Sequence, residues 1–318
     1  MSTRIVFMGT PDFAVSSLDA LNKAGYNIVG VVTVPDKPAG RGQKITYSPV
    51  KEYSITNNLP ILQPEKLRDE TFLKQLQELN ADIFVVVAFR MLPKVVWDMP
   101  RLGTFNLHAS LLPQYRGAAP INWAIINGET TTGVTTFLLN EKIDEGKILL
   151  QESINISPAD NAETIHDKLA EIGKDLVIRT VDGLIANNLQ PQTQIEDNHT
   201  PLKPAPKIFK SDCVIDWNKK GIDIVNFVRG LSPYPTATME LKDTQTNNTL
   251  LFKVFDVAFE ADTNAEQNKI YSDQKEYLKI GISDGYIHIK ELQLSGKRKN
   301  NIKDFLRGNK INNCILNH

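Results

Sequence analysis

Short apolar runs alternate with amphipathic segments over the first 190 residues. The runs RIVFMGT (4–10), NIVGVVTV (27–34), ADIFVVVAF (81–89) and GTFNLHAS (103–110) are almost uninterrupted. Between them, apolar residues recur at helical spacing, as in FAVSSLDALNKAG, which ends at Gly25. Strands that are apolar throughout and alternate with helices are typical of a parallel sheet covered on both faces. The pattern predicts an α/β domain with a Rossmann-like, mostly parallel sheet.

The pattern changes after residue 189. Residues 189–207 contain four prolines and no apolar periodicity, which predicts a linker between domains. One helical segment follows at 219–231, and then come strand-like segments such as TLLFKVFDVAF and GYIHIKELQL, separated by turn residues. These strands predict a smaller C-terminal, OB-like β-barrel. We therefore expect a catalytic domain at 1–189, a linker at 190–207 and a barrel domain at 208–318.

Composition limits the class of protein. A chain of 318 residues with 41% hydrophobic residues can form two domains, each with its own core. Its 36 basic and 37 acidic residues nearly cancel, so any nucleic-acid site must be a local patch. The apolar runs are far shorter than the roughly 20 residues that span a bilayer. The two cysteines, Cys213 and Cys314, support neither a disulfide framework nor a thiolate metal site, which predicts a cytoplasmic protein without metal.

The strongest candidate for chemistry is the segment FNLHASLLPQYRGAAPIN at 105–122. Strand alternation places Asn106 and His108 on one face, near the strand's carboxyl end, where open α/β sheets bind ligands. A single histidine in a strand usually serves packing, but the asparagine beside it and the Pro and Gly residues after it favour a site. Asp144 begins an Asp-Glu-Gly turn that is typical of a hairpin. If the sheet brings that turn beside His108, the carboxylate can orient the imidazole.

Two further segments have both a structural and a functional interpretation. The first strand-helix turn, GTPDFA at 9–14, lacks the G-x-G-x-x-G pattern, which excludes a dinucleotide site. It is interpreted as a tight turn with Asp12 capping the helix, at an edge where ligand contact is possible. Residues 35–51 carry four basic residues against one acidic residue and form a long connection. They are either a solvated surface loop or a basic loop that suits a phosphate-rich substrate.

Four blocks together resemble the methionyl-tRNA formyltransferase family in order and spacing. They are RIVFMGTPDFA, PDKPAGRGQKITYSPVK, FNLHASLLPQYRGAAPIN and IDEGKIL, and the resemblance extends over nearly the whole chain. It implies the formyltransferase fold and transfer of a formyl group from 10-formyltetrahydrofolate to the α-amino group of methionine on initiator tRNA. One segment departs from the family pattern, because residues 89–93 are shorter and Arg90 replaces a small residue.

The resemblance also implies roles for particular residues. Asn106 and protonated His108 would hold the oxyanion, and Asp144 would orient His108 and favour its charged form. The folate site would include Phe89, Ser110, Leu111, Leu112 and Pro113. The tRNA or its methionyl end would contact Thr10, Phe13, Lys37, Arg41 and Lys44. The reaction needs no metal and no covalent intermediate.

Two alternatives stay open at this point. A formyltransferase for a small amine, such as an amino sugar or a glycinamide nucleotide, would share the Asn-x-His-x-Ser-Leu-Leu-Pro stretch and the downstream aspartate. It would be active without RNA. The second alternative is a catalytically silent RNA-binding module built on the barrel, against which the intact set of Asn106, His108 and Asp144 argues. We expect a monomer in either case.

Overall fold

The computed structural model describes residues 2–39, 44–195, 201–311 and 313–317. The strands are β1 (Arg4–Gly9), β2 (Asn27–Val32), β3 (Lys37–Ala39), β4 (Lys44–Thr46), β5 (Ile61–Leu62), β6 (Ile83–Val87), β7 (Thr104–His108), β8 (Thr131–Leu138), β9 (Ile148–Asn155), β10 (Ala237–Asp243), β11 (Thr249–Ala261), β12 (Ile270–Ser272), β13 (Leu278–Ile282), β14 (Gly285–Leu294), β15 (Asn300–Asn301) and β16 (Cys314–Leu316). The helices are α1 (Asp12–Lys23), α2 (Pro49–Thr56), α3 (Glu70–Glu78), α4 (Lys94–Trp97), α5 (Pro120–Ile126), α6 (Ala162–Ile185), α7 (Gly221–Leu231) and α8 (Ile302–Gly308).

The chain divides into two compact units. The first unit comprises residues 1–117, 131–154 and 166–204, and the second comprises 118–130, 155–165 and 205–318. Two short segments that lie within the first 189 residues of the sequence therefore cluster with the C-terminal unit. The domain boundaries at 189 and 207 stay a prediction.

The first unit is built on a seven-stranded sheet with the order β5-β2-β1-β6-β7-β8-β9. The pairs β1–β2, β1–β6, β2–β5 and β6–β7 are parallel, whereas β7 and β8 are antiparallel. This confirms the predicted α/β class with a mostly parallel sheet. The central strand β1 is buried on both faces, which explains its uninterrupted apolar sequence.

Local sequence signals set the starts of the helices. Helix α2 begins after Ser48, whose hydroxyl accepts a hydrogen bond from the Lys51 N–H, and Pro49 occupies the first turn. Helix α3 is capped in the same way by Asp69. The predicted cap of α1 is wrong. Pro11 occupies the N-cap position and Asp12 is the first helical residue, where its carboxylate accepts a hydrogen bond from the Phe13 N–H at 3.0 Å.

The second unit confirms the predicted barrel. Its strands follow the order β12-β13-β14-β11-β10-β16, and the neighbours with defined register pair in antiparallel fashion. The edge strands β12 and β16 also touch, which nearly closes the sheet. Its core contains Trp217, Phe252 and Ile289. Within the described residues, no helix has the length and apolar character needed to cross a membrane.

Candidate active site

The candidate site lies at the carboxyl edge of three neighbouring parallel strands. Gly9 of β1 pairs with Val87 of β6, and Val87 pairs with Leu107 of β7. Residues 10, 88 and 108, each one position further along, therefore meet at the same edge. Strand β7 is also the point where the parallel part of the sheet ends, because β8 runs antiparallel to it. His108 is the last residue of β7, and the strand's alternation puts Asn106 on the same face.

His108 is held by two contacts. Its side chain is 7% exposed, and Nε2 lies 2.8 Å from the carbonyl oxygen of Tyr115. Because a carbonyl can only accept, Nε2 must carry the proton of that hydrogen bond. Nδ1 lies 3.9 Å from Oδ2 of Asp144, at the distance of an ion pair and beyond that of a hydrogen bond. The structure therefore brings His108 and Asp144 together, with Nδ1 as the ring nitrogen facing the carboxylate.

The Asp144 carboxylate is fixed in place by its own turn and by a neighbouring loop. Asp144 has φ +54°, in the left-handed region that aspartate and asparagine tolerate better than most residues. The backbone N–H of Gly117 donates a hydrogen bond to Oδ2 at 2.9 Å. The turn that joins β8 to β9 thus presents a carboxylate to His108, which is the proximity that the functional interpretation requires.

Asn106 differs from its neighbours on β7 in having a half-buried side chain. In the part of the chain that the structure describes, no group donates to or accepts from its amide. Its backbone is paired on both sides, with Val86 and with Phe137. A rigid strand therefore presents an amide whose two N–H donors and carbonyl oxygen are open to a ligand.

The loop after β7 is held by polar contacts that the sequence did not reveal. The Ser110 hydroxyl donates to the Gln114 carbonyl at 2.7 Å, and the Thr135 hydroxyl donates to the Ser110 carbonyl at 2.6 Å. The Gln151 amide donates to the Leu112 carbonyl at 2.8 Å. Ser110 and Leu112 are buried, whereas Leu111 and Pro113 are partly exposed. Ser110 and Leu112 thus shape the loop, and Leu111 and Pro113 form its accessible surface.

The segment that follows β6 is anchored by Arg90. Its guanidinium donates to the carbonyls of Glu65 and Pro64 at 2.9 and 2.8 Å, and it lies 5.3 Å from the centroid of the Phe89 ring. Burial lowers the pKa of Arg90. Phe89 itself packs partly buried against the core of the first unit. Arg90 thus ties residues 89–93 to the adjacent loop.

Four of the five residues predicted to contact tRNA or the methionyl end are described, and they belong to different places in the first unit. Thr10 is partly exposed directly after β1, whereas Phe13 is buried in α1 and packs edge-to-face on His166 at 5.3 Å. Lys37 is exposed on β3, and Lys44 begins β4. Arg41 lies outside the described residues. The predicted long loop includes an antiparallel ribbon, because residues 37–39 pair with 44–46. The assignment of all five residues to this binding site stays a prediction.

Part of the segment predicted as a linker lies on the first unit, next to the site. Gln192 and Ile148 exchange two backbone hydrogen bonds of 2.8 Å. The Gln194 side chain reaches the Asp144 turn, with 2.8 Å between its Nε2 and the Asp144 carbonyl oxygen. Nothing in the sequence indicates this role for Gln194, because neither periodicity nor a motif relates it to a residue 50 positions earlier.

Among the described residues, no group of three or more His, Cys, Asp or Glu is arranged to hold a metal ion.

We expect Gly146→Ala to disturb the site and the fold together. A Cβ at this position would lie 1.6 Å from the carbonyl oxygen of Leu138, which is backbone of β8 and cannot move aside. The turn that carries Asp144 must then shift, and stability should fall by about 1–3 kcal/mol, the range typical of overpacked cores. Thermal unfolding would measure the stability, and hydrogen exchange at the Gly117 amide, which donates to the Asp144 carboxylate, would report a displacement of the turn. Gly308→Ala is the control, since its Cβ would meet nothing within 4 Å. Unchanged stability in Gly146→Ala would show that the turn tolerates displacement.

Comparisons with known proteins agree on one family. A family model described as "Formyl transferase" matches residues 3–181, and one described as "Formyl transferase, C-terminal domain" matches residues 207–310. The chain is similar to the methionyl-tRNA formyltransferase of Bacteroides thetaiotaomicron, with 53% identity over 96% of this chain and 95% of that protein. With the enzyme of the same name from Parabacteroides distasonis the identity is 54%, with the same two coverages.

Solved structures show the same fold at low identity. The crystal structure of HypX from Aquifex aeolicus in complex with tetrahydrofolic acid matches with a TM-score of 0.65 and 16% identity. The match covers 100% of this chain and 51% of that chain, so the present chain spans about half the length of HypX.

Proposed function

Because this chain belongs to the methionyl-tRNA formyltransferase family, we propose that it transfers the formyl group of 10-formyltetrahydrofolate to the α-amino group of methionyl initiator tRNA. The observation that carries the proposal is the meeting of His108 with Asp144, 3.9 Å apart, on the sheet edge where Asn106 presents its open amide. One chain supplies all three groups. We also propose a cytoplasmic location, where a bacterial initiator tRNA is used.

The chemistry follows from what the three side chains can do. The amine attacks the formyl carbon, a new C–N bond forms, and the carbonyl oxygen gains negative charge. The N–H groups of Asn106 can donate to that oxygen. His108 can donate through Nδ1 only, because Nε2 is occupied by the Tyr115 carbonyl. Preorganised donors of this kind stabilise the tetrahedral intermediate without reorganising as the charge develops.

Asp144 serves the proton transfers and the orientation of His108. Its carboxylate lies 3.9 Å from Nδ1, close enough to orient the ring but beyond hydrogen-bond distance, so an Nδ1 N–H stays available to the oxyanion. The attacking amine must lose a proton, and Asp144 can accept it through a water. The bond from the formyl carbon to N10 of the folate then breaks, and N10 takes up a proton. The products are formylmethionyl-tRNA and tetrahydrofolate, and no covalent enzyme intermediate forms.

The folate donor is proposed to bind beside β6 and β7. The exposed parts of Leu111 and Pro113 after β7, and the partly buried ring of Phe89 after β6, offer apolar surface at the carboxyl edge of the sheet, where α/β proteins of this type bind ligands. The HypX structure of the same fold holds tetrahydrofolic acid, which supports a folate in this role.

The direct test is incorporation of a labelled formyl group. The full chain is incubated with labelled 10-formyltetrahydrofolate and methionyl initiator tRNA, with uncharged tRNA, free methionine and small amines as controls. We expect label on the charged tRNA alone. Label on an amino sugar or a glycinamide nucleotide in the absence of RNA would support the small-acceptor alternative. No transfer to any amine would contradict the assignment as a formyltransferase.

The basic segment 36–47 is proposed to contact the acceptor end of the tRNA. We expect Arg41→Ala to raise the Michaelis constant for methionyl-tRNA, or to slow transfer, by about tenfold, since one charge-assisted phosphate contact contributes roughly 1.5 kcal/mol or more. Folate binding should be unchanged. Steady-state kinetics with each substrate varied in turn would separate an effect on methionyl-tRNA from an effect on folate binding. The interpretation of the segment as a solvated surface would be correct if neither parameter moved.

A further inference from the structure

The Gln194 side chain satisfies its complete hydrogen-bonding capacity at the catalytic edge. Its Nε2 donates to the carbonyl oxygens of Asp144 and Gly146, at 2.8 and 2.9 Å. Its Oε1 accepts from Nη2 and Nε of Arg116, at 2.8 and 3.1 Å. A side-chain amide has two N–H donors and one oxygen with two lone pairs, and all four are used here. Such complete pairing in a half-buried side chain fixes the groups around it.

The groups that Gln194 joins are the two that hold the Asp144 carboxylate. On one side is the turn 144–146, in which Asp144 has φ +54°, a backbone conformation that costs free energy unless neighbours support it. On the other side is Arg116, which directly precedes the Gly117 N–H that donates to the Asp144 carboxylate. Arg116 also lies 3.8 Å from a carboxylate oxygen of Glu145 in the same turn.

We infer that Gln194 is a positioning residue that holds the Asp144 turn and the 116–117 loop in register, and thereby sets the position of the Asp144 carboxylate relative to His108. The inference rests on the proposed function and extends it to the segment predicted as a linker. That segment is itself fastened on both sides of Gln194. Gln192 pairs with Ile148, and the Tyr115 N–H donates to the Lys203 carbonyl at 2.7 Å.

We call the four hydrogen bonds of the Gln194 side chain the clamp. Its chemistry requires an uncharged amide. A carboxylate at this position would keep an acceptor for Arg116 but place negative charge against two carbonyl oxygens that now receive N–H groups. Gln194→Glu therefore removes the two N–H donors of the amide while the size of the side chain stays nearly the same. Gln194→Ala removes the clamp entirely. Gln192→Ala is the matched control, since the Gln192 side chain is exposed and its pairing with Ile148 uses only backbone atoms.

We expect Gln194→Ala and Gln194→Glu to lower kcat by about tenfold to a hundredfold, the cost of a small displacement of a catalytic group. The KM values for the folate and the tRNA should stay within about twofold. The melting temperature should stay within ~4 °C, since four part-buried hydrogen bonds are lost and water can replace some of them. Gln192→Ala should match the wild type. An unchanged kcat, or a fall in kcat accompanied by loss of folding stability, would overturn the inference.

Two further measurements separate a positioning role from a structural one. In an Asp144→Asn background, measured by single-turnover kinetics, Gln194→Ala should cause no further loss of rate, because the two residues act through one carboxylate. Equal losses in both backgrounds would refute the clamp. Hydrogen exchange at the Gly117 amide should become faster in Gln194→Ala without any substrate present. This readout stands even if the wild type transfers no formyl group, so failure of the inference and failure of the proposed function are distinguishable.

Discussion

Asn106→Ala is expected to lower the rate of formyl transfer at saturating substrates by about a hundredfold or more, the usual cost of removing one oxyanion donor. The effect should fall on kcat, because the amide is proposed to bind charge that exists only in the transition state. The fold should be unaffected, since no described residue is hydrogen-bonded to the Asn106 side chain. Quenched-flow or steady-state assays with methionyl-tRNA would give the rate, and thermal unfolding would give the stability.

Two companion variants sharpen this test. Asn188→Ala removes an exposed asparagine side chain from the same unit. It should change neither the rate of formyl transfer nor the stability. His108→Ala should abolish transfer as well, while tRNA affinity stays largely intact. It should also cost about 1–3 kcal/mol of stability, because the buried hydrogen bond between Nε2 and the Tyr115 carbonyl is lost. Near wild-type turnover in Asn106→Ala or His108→Ala would refute the oxyanion roles.

Asp144→Asn is expected to reduce kcat by about a hundredfold, in the range of acid–base contributions to catalysis. Asparagine is the informative replacement for a structural reason. It tolerates the left-handed backbone at φ +54°, and its side-chain oxygen can still accept from the Gly117 N–H. The variant therefore removes the negative charge facing His108 while it keeps the turn. Rates over a range of pH, with folate and tRNA affinities measured separately, would locate the loss in the chemical step.

The control for this charge lies in the same connection between β8 and β9. Glu141→Gln also removes one carboxylate. The Glu141 side chain is exposed, and among the described residues it is Asp144, not Glu141, that lies at ion-pair distance from His108. It should leave transfer unchanged. A comparable loss of rate in both variants would mean that the overall charge of the connection matters instead of the contact between Asp144 and His108.

Much of the site is visible in the sequence because it depends on a single strand. Alternation along 104–108 is enough to put Asn106 and His108 on one face, and the rule that ligands bind at the carboxyl ends of parallel strands is enough to choose the edge. From the sequence, the proximity of Asp144 to His108 could only be stated as a condition for the orienting role of Asp144. It requires β8 to turn back antiparallel beside β7, and the sequence does not give strand order.

The contacts that support the site also could not be predicted from the sequence, because they depend on the tertiary structure. Thr135 and Gln151 hold the loop after β7, and Gln194 holds the Asp144 turn, yet all three are ordinary polar residues in their local sequence. The prolines of 189–207 predict neither helix nor strand, and the described residues 189–195 and 201–207 form neither a helix nor a named strand. The prolines say nothing about which surface the segment lies on, because hydrogen bonds between irregular segments follow no repeating pattern.

The sequence by itself determined the class of each half of the protein, the strand that carries the amide and the imidazole, and the family. These depend on periodic burial and on short motifs, which are local properties of the chain. The tertiary structure alone decided that Asp144 faces Nδ1, that Tyr115 occupies Nε2, and that Gln194 clamps the turn. Those contacts join residues that are between 7 and 50 positions apart, and only folding brings them within a few ångströms of each other.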